Sequence, residues 1–312
     1  MLPRRTFLKN AGLLAAGVAA LRPLTRTSAR TVSPNEKLNV AVIGFGGVGG
    51  SNISNCADEN VVAMCDLDLK RCAGTIKKFP NAELFTDFRK MLEKRKDIDA
   101  VIIATPDHSH AFIGMACMRE GKHVYIQKPI AHSVFEARRL TEGAREFKVI
   151  SQMGNQGHSG EGIRQICEWI DAGIIGEVRE AHAWTNRPIW PQSSDMDRPK
   201  GDATPPEGMD WDRWCGPAPL RPFNAVYHPG KWRAWCDFGT GALGDMGCHI
   251  IDPVFQALKL LYPTSVEGNV STTFEEFGKK SVPKNECFPR STIARFRFPA
   301  RGALPPVELT WW

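Results

Sequence analysis

Three glycines impose the first chemical constraint. In Lys37-Leu-Asn-Val-Ala-Val-Ile-Gly-Phe-Gly-Gly-Val-Gly49 an apolar run enters a GxGxxG made by Gly44, Gly46 and Gly49. That spacing lets the chain turn tightly at Gly44, brings backbone against a pyrophosphate at Gly46, and seats a helix closely on a strand at Gly49. A second apolar run, Asn60-Val-Val-Ala-Met-Cys-Asp66, ends in an acid near the roughly twenty-residue offset at which a carboxylate binds a ribose 2′-hydroxyl. Asp66 would repel a 2′-phosphate, which favours NAD over NADP; Arg71 tempers this, since a guanidinium can host a phosphate. Three further segments carry polar side chains in order: Ala104-Thr-Pro-Asp-His-Ser-His110, Gln127-Lys128-Pro129 and Gly244-Asp245-Met-Gly-Cys-His249. Asp245 and His249, four apart, fall on one face of a helix.

The elements that must position these residues follow from hydrophobic pattern. Strands are expected at 38–44, 61–66, 100–104, 123–127 and 149–152, alternating with helices at 47–56, 69–78, 87–95, 108–120 and 134–147. Apolar runs such as Ala100-Val-Ile-Ile-Ala104 suit strands buried on both faces. Residues 37–154 therefore read as one doubly wound parallel sheet of the Rossmann kind, with the strand ends at Ala104 and Gln127 facing its ligand crevice. From 155 to 312 the pattern changes to an α+β domain with an open, largely antiparallel sheet: a helix at 160–172, a strand at 177–185, a helix at 243–261, and strands near 265–273, 291–298 and 305–312. Between them, 186–240 is dense in Pro, Trp, Asp and Arg, and six tryptophans from Trp184 to Trp235 argue for packed structure there. The pattern stops in mid-strand at Trp312, as expected of a truncated sequence.

The first thirty residues differ. Arg4-Arg5-Thr6-Phe7-Leu8-Lys9 precedes an apolar run, Ala11 to Leu21, too short to span a bilayer, and Thr27-Ser28-Ala29 offers a small-residue cleavage site. This resembles a twin-arginine (Tat) signal, with residues 1–29 removed on export to the periplasm or beyond and the Tat machinery as a transient partner. Six basic and no acidic residues lie there, accounting for the whole net charge of +6. The remainder is balanced, which argues against nucleic acid or an anionic membrane as partner. Nine scattered cysteines, with no CxxC and no zinc-type spacing, indicate neither a disulfide framework nor a metal site, and none precedes Cys56 to carry a lipid anchor.

The glycine loop, the TPxHxH-like strand end, the Lys-Pro motif and the DxGxH helix together resemble the Gfo/Idh/MocA family, relatives of glucose–fructose oxidoreductase and inositol dehydrogenase, over about residues 37–312. The resemblance implies that Lys128 touches substrate hydroxyl and nicotinamide ribose, that Asp245 binds substrate, and that His249 removes the hydroxyl proton as hydride leaves. Histidine suits that task near neutral pH; Asp245 can orient the imidazole or a second hydroxyl. Gln127 stands where the family has Glu, so Lys128 loses a neighbouring charge and is expected to be held less strongly in its charged form. Cofactor contacts are expected from Gly44, Phe45, Gly46, Val48, Gly49, Asp66, Arg71, Thr105, Pro106, Gln127, Lys128 and Asn155. His108 and His110 stand open between packing and the nicotinamide pocket.

Trp184, Asn186, Arg187, Trp190, Tyr227, His228, Trp232 and Arg233 form an aromatic and polar set that could stack on and hydrogen-bond a sugar, or could be structural. The expected function is oxidation of a sugar, polyol or glycoside hydroxyl by a tightly bound NAD in a homo-oligomer. The alternative uses the same parts without net redox, as an NAD-dependent glycosidase or lyase that oxidises a sugar transiently. A non-catalytic nucleotide-binding protein would lack Lys128 or His249, and both are present.

Overall fold

The computed structural model describes residues 37–201 and 204–312. The export signal read over 1–29 lies outside the described residues. Six strands, β1 (Asn39–Ile43), β2 (Asn60–Cys65), β3 (Glu83–Phe85), β4 (Ala100–Ile103), β5 (His123–Gln127) and β6 (Ser151–Gly154), form one sheet in the order β3-β2-β1-β4-β5-β6. Every pairing in it is parallel. Alternate side chains leave opposite faces of a strand, so Ala41 and Ile43 join Val101, Ile103, Val124 and Ile126 in one core layer. Val40 and Val42 join Met64 and Ile102 in the other. Burial on both faces explains why these strands read as continuous apolar runs. Strand order reverses between β1 and β4, and that switch point opens the ligand crevice.

Helices α1 (Val48–Ser54), α2 (Ala73–Ile76), α3 (Phe88–Lys94), α4 (His110–Arg119) and α5 (Val134–Glu146) connect the strands. Asp87 accepts the Arg89 N–H to start α3, and Ser133 with Glu136 makes a capping box at α5. The helix expected over 69–78 shrinks to the single turn of α2. The edge strand β3 was not expected; three residues carry too little periodicity to announce a strand.

The second part contains α6 (Glu161–Asp171), β7 (Glu180–Ala183), α7 (Trp211–Cys215), α8 (Gly241–Ile250), α9 (Asp252–Ala257), β8 (Ser265–Val270), β9 (Phe274–Glu276), β10 (Lys279–Lys280), β11 (Thr292–Phe298) and β12 (Val307–Trp311). Its sheet runs β7-β12-β11-β8, antiparallel except where β12 pairs with β7, and β9 with β10 forms an unexpected small ribbon. The single helix expected over 243–261 is two. Pro253 has no N–H to extend α8, so the chain restarts at Asp252 with proline in the first turn. Among the described residues no helix is long and apolar enough to cross a membrane.

Most of 209–238 packs as an aromatic core in place of regular structure. Trp211, Trp214, Phe223, Tyr227, Trp232, Trp235 and Phe238 are all buried, with Trp211 stacked on Trp214 at 4.5 Å between ring centres. Phe238, fully buried, meets Trp214 at 4.9 Å and Tyr227 at 5.2 Å. Phe238→Ala should therefore cost about 3–5 kcal/mol of stability. Trp184→Ala, at a residue 69% exposed, should stay within about 0.5 kcal/mol. Urea unfolding of the two variants checks this, and equal midpoints would remove the aromatic cluster from its core role.

Candidate active site

The glycine loop forms the floor of a cleft of about 830 Å³, within the roughly 300–1,000 Å³ usual for ligand sites. Gly44 has φ +80°, and a Cβ there would stand 2.8 Å from the Ala104 carbonyl carbon. A Cβ on Gly49 would stand 1.9 Å from the Gly44 oxygen, so only glycine lets α1 seat against the turn. Gly49 thus shapes the loop without lining the cleft. Phe45 buries its ring in the core and offers its backbone: Asp66 Oδ2 accepts the N–H of Phe45 at 2.8 Å and of Gly46 at 3.2 Å, while Oδ1 accepts the Asp68 N–H at 2.9 Å. Asp66 therefore braces the loop as well as lining the cleft, beside Val48, Arg71, Thr105 and Pro106.

At the other end β5 delivers Lys128 and α8 delivers Asp245 and His249. Lys128 Nζ donates to Asp245 Oδ1 at 2.7 Å and to the Asp245 main-chain oxygen at 2.7 Å; Arg233 Nε donates to the same Oδ1 at 3.1 Å. Both members of the Lys128–Asp245 pair are largely buried, with side chains 12% and 9% exposed. Burial pulls the Asp245 carboxyl upward, but the Lys128 hydrogen bond and the charges of Lys128, Arg233 and Arg187 outweigh it, and its pKa lies below the usual range. Asp245 thus supplies the counter-charge that Gln127 lacks. It does not orient the imidazole, since His249 Nδ1 faces the Gln156 carbonyl oxygen at 3.2 Å. Burial first, and the Lys128 charge second, lower the His249 pKa, more than offsetting the Gln156 carbonyl, Asp245 and Asp252. The shift favours the neutral ring, the form able to take a proton.

Several expected site residues are placed elsewhere. Tyr227 is 1% exposed inside the aromatic core, and Trp184 stands on the surface after β7; neither lines the cleft. His108 is also core: its ring lies 5.4 Å from Trp214 and 5.2 Å from Phe238, and its nitrogens lie 3.2 Å from the Phe238 oxygen and 3.0 Å from the Trp214 oxygen. Burial pushes its pKa down to about 4, so the neutral ring donates to one of those oxygens. His110 does line the cleft, but its nitrogens are engaged by the Pro129 oxygen at 2.7 Å and the Thr105 oxygen at 2.8 Å. It braces the two strand ends against each other. His228 does line the cleft, at its β2 end, with Nε2 3.2 Å from Asp68, two residues beyond Asp66. Arg187, Trp190, Trp232 and Arg233 do line the cleft near Lys128, with the Arg233 guanidinium 4.3 Å from the Trp232 ring centre.

Two participants had not been singled out. Asp107, 3% exposed, lines the cleft and accepts the Thr240 hydroxyl at 2.7 Å, with burial raising its pKa. Its place in the TPDHSH segment was a signal available in the sequence. Gln156, whose side chain donates to Gln127 Oε1 at 3.1 Å, carried none. Asn155 touches the site from behind, donating to the Cys248 oxygen at 2.6 Å. Asn155 Oδ1 and Gln127 Nε2 are buried without a protein partner; Gln127 lines the cleft beside Lys128, and Asn155 precedes the cleft-lining Gln156. The glycine cradle, the acid at β2 and these polar groups fit a dinucleotide.

Comparison with known proteins agrees with this geometry. Residues 38–155 match the family model described as oxidoreductase family, NAD-binding Rossmann fold, and residues 178–273 match the same family's C-terminal alpha/beta domain. An inositol 2-dehydrogenase of Rubrobacter xylanophilus is 34% identical over 155 residues, covering 48% of this chain and 44% of that protein. An alpha-N-acetylgalactosaminidase of Shewanella oneidensis is 28% identical over 207 residues, covering 58% and 45%. The chain thus aligns with less than half the length of these curated relatives. Among solved structures, the WlbA dehydrogenase from Bordetella pertussis, in complex with NADH and UDP-GlcNAcA, superposes with a TM-score of 0.61 at 16% identity, covering 88% of this chain and 71% of that one. An oxidoreductase domain protein from Kribbella flavida gives 0.58 at 24% identity, covering 88% and 66%. These likenesses are of fold. With its two domain models together matching more than half of the sequence, the chain belongs to the Gfo/Idh/MocA oxidoreductase family.

Proposed function

We propose that this protein is an NAD-dependent oxidoreductase acting on a hydroxyl of a sugar, polyol or glycoside. The observation that carries the reading is the convergence of His249 and the Lys128–Asp245 pair on the wall of a cleft floored by the glycine loop. The nicotinamide, when bound, is the hydride acceptor. Lys128, fixed by Asp245, polarises the substrate oxygen that becomes a carbonyl, and His249 takes the hydroxyl proton. Arg187 and Arg233, each seated over a tryptophan ring (Trp190 and Trp232), present donors to the rest of a carbohydrate. Similarity to a protein named as a glycosidase supports a second reading, in which the oxidation is transient and the hydride returns. The two differ in whether reduced cofactor accumulates.

The twin-arginine pattern supports export, and free dinucleotide is scarce outside the cytoplasm, so the proposal includes a cofactor that travels with the protein. Contacts across the cleft support retention. His228 lies against Asp68, Arg71 Nη1 donates to the Pro229 oxygen at 3.5 Å, and Lys70 pairs with Glu207 at 2.6 Å, all beside the β2 end of the cleft. Exposed pairs such as the last add little energy; their importance is geometric, since they draw residues 207–229 over the ribose-binding acid.

His249→Ala should lose at least about a hundredfold in turnover, within the range a positioned base contributes, and still bind NAD by calorimetric titration. Because the folded pKa of His249 is lowered, the base form persists at neutral pH and is lost only as pH falls below the ordinary value of about 6.5. Lys128→Met should move the NMR titration midpoint of His249 upward, and a downward shift would contradict the electrostatic assignment.

Asp66→Asn keeps an acceptor for the loop N–H groups but removes the charge. It should narrow the preference for NAD over NADP by about tenfold, equivalent to about 1.4 kcal/mol. Wild-type protein that binds NADP more tightly would overturn the ribose assignment. Finally, protein purified after export and then denatured should release near-stoichiometric nucleotide, identified by mass. Protein that emerges empty and needs exchangeable NAD in every cycle would sink the resident-cofactor reading.

A further inference from the structure

The geometry points to Gln156 as a positioning residue that sets which nitrogen of His249 is the base; this rests on the function proposed above. A carbonyl oxygen only accepts hydrogen bonds, so the Gln156 oxygen, 3.2 Å from His249 Nδ1, favours the tautomer with its proton on Nδ1. A neutral imidazole has one N–H. In that tautomer Nε2 is the bare nitrogen. In the proposed reaction the substrate O–H bond breaks and its proton moves to Nε2, while the C–H electron pair leaves as hydride to the nicotinamide.

The Gln156 carbonyl can do this because the chain around it, residues 154–156, is held by three bonds. Asn155 Nδ2 donates to the oxygen of Cys248, the residue before His249, at 2.6 Å. The Lys128 N–H donates to the Gly154 oxygen at 3.3 Å. The Gln156 side chain reaches back to Gln127 Oε1 at 3.1 Å, on a residue only 6% exposed. These bonds tie the end of β6 at once to the end of β5, which carries Lys128, and to α8, which carries His249. Gln127 thereby gains a role its amide performs through Gln156: its oxygen accepts from an amide N–H, and its Nε2 has no protein partner.

The test reads the tautomer directly, without substrate. In protein labelled with 15N-histidine, long-range proton–nitrogen correlation above the His249 titration should show Nδ1 protonated and Nε2 bare. Gln156→Leu keeps the backbone carbonyl but frees its peptide. It should give mixed tautomers and lower kcat about tenfold, a small part of the roughly 10²–10⁴ a positioned base supplies, with KM and NAD affinity within about twofold. Gln156→Glu should restore the single tautomer, because a flipped Gln127 amide can donate Nε2–H to the new carboxylate. The resonance of His182, remote on β7, reports that each variant is folded; if the leucine variant is not, the wild-type spectrum decides alone. A wild-type His249 protonated on Nε2, or a folded Gln156→Leu with an unchanged tautomer, would overturn the inference. The expected tautomer without cofactor-linked turnover would uphold it and count against the proposed function instead.

Discussion

The Lys128–Asp245 ion pair is the contact on which the rest of the site depends. It joins the end of β5 to α8, two elements from different sheets' surroundings, and it is largely buried. Removing one partner of such a pair leaves an uncompensated charge, at a cost of about 3–5 kcal/mol. The site accommodates the pair by surrounding it: the Asp245 main-chain oxygen takes a second Lys128 proton, and Arg233 approaches the same carboxylate oxygen. The Lys128 charge, second to burial, also lowers the His249 pKa, so the lysine that docks α8 acts on the imidazole as well.

A second layer of contacts explains why the two domains meet at a fixed place. Asp107 holds the Thr240 hydroxyl at the entry to α8, His132 faces the Gly239 oxygen at 2.8 Å, and the His108 N–H donates to the Phe238 oxygen at 3.3 Å. The strand ends after β4 and β5 thus grip residues 238–240, and α8 begins immediately beyond them. The aromatic core of 209–238 supplies the rigid backing, which a long segment with little regular structure otherwise lacks.

Much of this was legible in the sequence because local pattern decided it. Five of the six parallel strands announced themselves as apolar runs closed by Gly, Asp or Pro, and the GxGxxG and Asp66 carried their spacing with them. Asp245 and His249 were expected on one helix face, and both line the cleft. What sequence did not reveal was set by packing at long range. His108 and His110 are two residues apart in one motif, yet one is enclosed by Trp214 and Phe238 and the other braces the cleft wall. Tyr227 and Trp232 lie in the same irregular segment and differ in which side of the aromatic cluster they occupy. Gln156 offered no signal, because its contribution is a backbone carbonyl and a bond to an equally unremarkable amide. Pro253, within the 243–261 stretch expected as one helix, is the local signal for its division into α8 and α9.

The most direct test of the link between cofactor cleft and base is a titration of histidine-labelled protein, freed of bound nucleotide, with NAD, followed by NMR. His249 should shift along the same isotherm as nucleotide binding measured calorimetrically, while His108 in the aromatic core and His182 on β7 stay in place. Saturation of the protein with NAD while the His249 resonance does not move would contradict the placement of the nicotinamide beside Lys128, Asp245 and His249.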